Sequence, residues 1–312
     1  MDKGWGMMKA GKGIVLPVSL MMILTFSSCS LERYAVNRLG DAMAGSGSTF
    51  ASDDNPELIK AATPFSLKLI ESLLAENPEH HGLLLAAARG FTQYGYAFTE
   101  QEADEVEDAD LMRAMELRRL ARRLYLRARD YGLRGLEASH QGVRDDLYRN
   151  PEAAVGRFIQ EDVPLIYWTA VSWGAAISLS KDDPDLIADL PQVEALIYRA
   201  LDLDEAYDHG AIHVFLIALE SARPGGAPEG VEQARLHFRR AVELSEGMMA
   251  APLVSMAENV SVSTQDRKEF TDLLNRVLAI DADARPEWRL SNLVMQRRAA
   301  WLLSRSDDLF LE

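Results

Sequence analysis

The chain has 312 residues, with 48 acidic against 33 basic side chains and a formal charge of -15. A chain this acidic repels phosphate backbones, which argues against nucleic acid as a partner. A single cysteine excludes an internal disulfide, so stability has to come from packing the 48% of apolar residues.

At the start, Lys3, Lys9 and Lys12 precede an apolar run from Ile14 to Phe26, broken by Pro17 and Ser19 and closed by Ser27-Ser28-Cys29. Positive charge, a short greasy stretch and small residues are the layout of a secretory signal peptide. A cysteine directly after the small residues makes it a bacterial lipoprotein signal. The run is shorter than the roughly 20 residues of a membrane span. Residues 1–28 are therefore read as a signal peptide cut before Cys29. The Cys29 thiol would carry the lipid (palmitate) and hold the chain on a membrane of the bacterial cell envelope, facing the periplasm. The removed piece holds three Lys and one Asp, so the mature charge is about -17.

Leu31 to Met43 reads as a short amphipathic helix, with Leu31, Tyr34, Ala35, Leu39 and Ala42 on one face. Ala44 to Thr49 is a Gly/Ser stretch expected to be flexible. Residues 29–55 are thus an anchored N-terminal segment and tether. Asp53-Asp54-Asn55-Pro56 signals a helix start. Residues 56–312 show helical periodicity and almost no strand alternation.

Within 56–312 one frame recurs: a small or apolar residue, a large one four later, a small or apolar one three after that. It occurs at Ser66, Ile70, Leu73; at Ala121, Tyr125, Ala128; at Val193, Ile197, Ala200; at Ala234, Phe238, Ala241; and at Phe270, Leu274, Val277. The spacing puts each triplet on one helix face and matches the second helix of a tetratricopeptide (TPR) unit. Leu84, Ala87, Ala88 and Phe91 fit a partner first helix, as do Tyr167, Ala170, Val171 and Gly174. The expected fold is all-α, with degenerate TPR-like hairpins stacked into a compact superhelix, each burying its face on the next. A generic helical bundle is the alternative, since the triplets are unevenly spaced. Thr99 to Asp110, which is acidic, and Gln141 to Asp162 read as insertions. Ser180 to Pro191 lengthens a further connection.

Several groups are candidates for chemistry. His209 and His213 are four apart, with Glu205 one turn earlier, but no third ligand beyond Glu205 is identifiable. Histidines at the surface or core edge are the plainer reading, and no metal is expected. Arg113, Arg118, Arg119, Arg122, Arg123, Arg127, Arg129 and Arg134 wind around one helix, as a charged surface or an answer to the acidic insertion. Trp168 and Trp173 lie five apart, about 140° round a helix, so one faces the core while the other can face a groove. Gly174 beside them marks a close backbone approach. Core packing or an apolar pocket are the open alternatives for these and for Tyr94, Tyr96 and Phe98. Gly225-Gly226, between Pro224 and Pro228, is a turn. No nucleophile elbow, phosphate loop or dinucleotide fingerprint occurs. Neither a catalytic residue nor a cofactor is expected.

The signal at Cys29, the degenerate hairpins and the run Tyr167-Trp168 through Lys181-Asp182-Asp183-Pro184 together resemble the T component of tripartite ATP-independent periplasmic (TRAP) transporters. That resemblance implies a TPR lipoprotein that docks the periplasmic solute-binding subunit. It also implies a homo-oligomer, a trimer, with a cleft for an apolar organic acid. The carried-over roles are lipidation at Cys29 and pocket contributions from Tyr167, Trp168 and Trp173, to which the aromatic reading adds Tyr94 and Phe98. The alternative is a TPR scaffold lipoprotein for cell-envelope assembly.

Overall fold

The computed structural model describes residues 47–222 and 228–311, with positions 1, 2, 38, 40, 42 and 45. The signal peptide beyond its first two residues, Cys29, most of the helix expected at 31–43 and the Gly225-Gly226 turn lie outside the described residues. The described residues are 79% helical and contain no strand, as the periodicity requires. The Gly/Ser stretch is not all open coil: α1 (Gly47–Ala51) is helical. Its Phe50 and Ala51 meet an apolar cavity, and Arg289 donates to the Ser52 carbonyl at 2.9 Å. These contacts override the weak local preference of Gly and Ser.

Helices start where short polar side chains can cap them. Asn55 accepts from the Leu58 amide at 3.0 Å and opens α2 (Pro56–Glu76), with Pro56 in the first turn, where a missing N–H costs nothing. His80 caps α3 (His81–Gly95) through the Leu83 amide. A π-helical segment, Tyr96–Glu100, carries α3 into α4 (Gln101–Val106). Asp110 caps the arginine-rich α5 (Leu111–Ser139). The supposed insertion after it folds into α6 (Val143–Arg149) and α7 (Pro151–Val155), the latter capped by Asn150. Val143, Leu147 and Phe158 there are fully buried, so this segment contributes one face to the core.

The aromatic helix is α8 (Val163–Ser178). Asp183 then caps α9 (Pro184–Ile187), and α10 (Leu190–Leu203) follows. The second half comprises α11 (Ala211–Ser221), α12 (Pro228–Leu244), α13 (Ala251–Met256), α14 (Arg267–Leu278), α15 (Arg289–Ser304) and α16 (Ser306–Leu309). A second π-helical segment, Ala257–Ser261, follows α13.

Successive antiparallel neighbours pack together: α3 on α5, α5 on α8, α8 on α10, α11 on α12, and α14 on α15. The recurring triplets face these contacts. Ala121, Tyr125, Ala128, Val193, Ile197, Ala200, Phe270, Leu274 and Val277 are all fully buried. Small residues set the approach. A Cβ at Gly132 would lie 2.1 Å from the Thr169 hydroxyl, and one at Gly174 would lie 2.8 Å from the Phe215 ring. Element lengths vary from the 29-residue α5 to the four-residue α9, which departs from a uniform repeat.

The acidic stretch at α4 is bridged both to α5 and to α15. Arg118 of α5 binds Asp104 at 2.9 Å and Glu107 at 2.7 Å. From α15, Arg297 binds Glu105 at 2.6 Å, and Arg298 binds Asp104 at 2.9 Å. Arg305 pairs with Asp108. The acids expected to answer the α5 arginines therefore answer α15 as well. The remaining α5 arginines divide between surface and packing. Arg122 reaches Asp183 at 2.5 Å, Arg127 pairs with Glu71, and Arg129 lies over the Trp173 ring.

Candidate functional site

Tyr96 packs against both large apolar clusters, one built on α5, α8 and α10 and the other on α13 to α15. Beside it, between α2 and α3 on one side and α13 and α15 on the other, lies a cavity of about 420 Å³. That size falls in the range of small-molecule sites. Ile59, Leu67 and Ile70 of α2 and Val294 and Met295 of α15 supply aliphatic wall.

Four of the five residues expected at a pocket come together here: Tyr94, Phe98, Tyr167 and Trp168 all line the cavity. Tyr94 and Phe98 are one helical turn apart, their ring centroids 5.7 Å from each other. Tyr167 and Trp168 meet edge to face at 5.0 Å, and Tyr207 braces Tyr167 at 5.2 Å. Such tilted contacts suit the ring quadrupoles and fix the rings as a wall.

Trp173 is not on that wall. It is fully buried on the opposite side of α8, where its Nε1 donates to Asp189 at 3.2 Å and its ring meets Tyr148. The five-residue spacing sends the two tryptophans to different faces, Trp168 to the cavity and Trp173 to the core.

His209 and His213 do not share a helix face. Asp208, His209 and Gly210 all have positive φ (43°, 57° and 94°), so α11 begins only after them. His209 reaches the cavity and packs on Trp288 at 4.8 Å. His213 is buried and its Nδ1 lies 2.8 Å from that of His237. Burial, reinforced by the charge of its neighbour His237, lowers the His213 pKa, and burial lowers that of His237. The described residues hold no group of three or more His, Cys, Asp or Glu able to bind a metal.

Behind the cavity floor the π-helical Tyr96–Glu100 segment turns Glu100 inward. The Tyr125 hydroxyl donates to its carboxylate. Burial pushes Glu100 up to about 7, the Tyr125 hydrogen bond opposes this, and Asp104 adds to it. Glu258, on the second π-helical segment, is also raised by burial in spite of Arg298 at 2.7 Å. π-Bulges of this kind often mark functional sites.

The sequence alone did not single out the cavity's second wall. Met249, Ala251, Pro252 and Trp288 come from short turns and helix ends whose apolar residues read as ordinary core. Arg89, in the middle of α3, also lines the cavity and reads in sequence as a surface arginine. No helix among the described residues is long and apolar enough to cross a membrane.

Comparison with known proteins gives two findings. The family model described as TRAP transporter T-component matches residues 52–310. A protein of Treponema pallidum (strain Nichols), described there as uncharacterized, is 27% identical over 307 residues, covering 93% of this chain and 95% of the relative.

Proposed function

The chain belongs to the TRAP transporter T-component family and is an accessory component of TRAP transport, and we propose that it works as a lipid-anchored adaptor. In this reading Cys29 carries the lipid and holds the helical domain at the periplasmic face of a membrane. The domain docks the solute-binding subunit of the transporter as a homotrimer, and its hairpins are degenerate TPR units. Tethering raises its effective concentration for a partner at that surface without any new contact. Its role is binding and not catalysis, in keeping with a wall built from aromatic and aliphatic side chains.

The observation that carries the ligand part of this reading is the cavity lined by Tyr94, Phe98, Tyr167 and Trp168. An apolar organic acid is the occupant that this lining suits, because burying its tail against rings and aliphatic side chains is favourable at about 25 cal/mol per Å². Organic extraction of the purified full chain, followed by mass spectrometry, tests it. The expected result is a retained apolar small molecule in the natural chain and its loss in Trp168→Ala. Equal recovery from both would overturn the assignment of the cavity.

A further inference from the structure

Arg89 is the sole arginine or lysine lining the cavity among the described residues. It forms no ion pair or hydrogen bond among them either, whereas other arginines of the fold are matched: Arg127 to Glu71, Arg289 to Asp283, and Arg298 to Asp104 and Glu258. What holds Arg89 is the Trp168 ring, with the guanidinium carbon 5.9 Å from the ring centroid. A guanidinium half-buried beside an apolar chamber, with five donors and no carboxylate bonded to it among the described residues, is a site awaiting an acceptor.

Three of the neutral hydroxyls lining the cavity are already engaged. Thr63, Ser66 and Thr92 line the cavity, but their hydroxyls donate back to their own helix, to Ile59, Ala62 and Ala88. The charged residues that remain are acidic and stand at the exposed edge, Asp208 and Glu287. The chamber therefore has one positive point inside, apolar walls, and negative charge at its rim.

We propose that Arg89 anchors the ligand's head group and selects a monocarboxylate with an apolar tail over a dicarboxylate of the same length. The guanidinium fork matches one carboxylate with two parallel hydrogen bonds. The tail lies along Tyr94, Phe98, Tyr167 and Trp168. A second carboxylate at the far end of the ligand either enters the apolar chamber unpaired or meets Asp208 and Glu287. Both outcomes are unfavourable, so the rim rejects as the anchor attracts. This inference rests on the cavity being a ligand site, as proposed above.

Equilibrium binding of radiolabelled decanoate, decanol and decanedioate to the immobilised full chain tests it. The natural chain is expected to bind decanoate about tenfold or more tighter than either of the others, the worth of a charge-assisted hydrogen-bond pair. Arg89→Gln brings decanoate down to the level of decanol and leaves decanol within about twofold. Arg89→Lys, which keeps the charge but not the fork, restores part of the difference. Asp208→Asn with Glu287→Gln raises decanedioate binding. Circular dichroism checks that each variant is folded. If decanoate and decanol bind equally in the natural chain, or if Arg89→Gln preserves the gap, the anchor is overturned while the cavity stands as a ligand site. If none of the three binds to the folded natural chain, the ligand-site reading falls and the anchor falls with it.

Discussion

Arg298 lies 2.9 Å from Asp104, joining the last long helix to the acidic α4, nearly 200 residues earlier in the chain. The same guanidinium reaches Glu258 at 2.7 Å and stacks on Trp301. Its side chain is 11% exposed, so the contact is far from a surface pair of negligible worth. Removing the arginine leaves two carboxylates close together with reduced compensation. Arg298→Met is expected to destabilise the fold by about 3 kcal/mol, read as a lower denaturant midpoint. Arg305→Ala, on an exposed neighbouring pair, should cost well under about 1 kcal/mol.

Glu100 gives the fold a pH dependence of known sign. Its carboxyl is raised from 4.5 to about 7 in the folded chain, with Tyr125, Asp104, Arg298 and Glu258 facing it. The folded state therefore holds a proton that the unfolded chain releases. This contribution is intact below pH 4.5 and is lost as pH rises through about 7. The loss amounts to up to roughly 3 kcal/mol. Thermal stability should fall between pH 5 and pH 8, and Glu100→Gln should flatten that slope. An unchanged slope in Glu100→Gln would show that Glu100 titrates normally.

The two tryptophans of α8 should separate by assay. Trp173→Ala removes a fully buried ring and its bond to Asp189, at an expected cost of about 3–5 kcal/mol. Trp168→Ala opens the cavity wall and removes the ring that holds Arg89. It is expected to cost less stability but to abolish ligand retention. Denaturant unfolding and ligand recovery, measured on both variants, give opposite rankings.

Much of this arrangement was legible along the chain. Helical period, the helix start at Asn55 and the buried triplets follow from local spacing, whereas the caps at Asp110 and Asn150 lay hidden in stretches that read as insertions. The divergence of Trp168 and Trp173 follows from spacing too, since five residues turn a helix by about 140°. What escaped are features set by tertiary contact. Gly210 looks like an ordinary glycine between two histidines, yet with Asp208 and His209 it forms a left-handed stretch that delays α11. Phe158 and Leu147 looked like parts of a connection, because α6 and α7 are too short to show a period. Arg89 resembles any solvated arginine until the fold sets it beside an apolar chamber, without an ion pair among the described residues.

Lipidation makes a separate prediction. Cys29→Ala should move the protein from the membrane fraction to the soluble periplasmic fraction, with the fold of residues 56–312 unchanged by circular dichroism. A variant that stays membrane-bound would remove Cys29 as the anchor.

The adaptor role is tested most directly by affinity purification of the full chain from solubilised membranes, with the co-purifying proteins identified by mass spectrometry. The account predicts a TRAP-type solute-binding subunit in stoichiometric amount. A preparation that brings down no solute-binding subunit, or only envelope-assembly proteins, would contradict it.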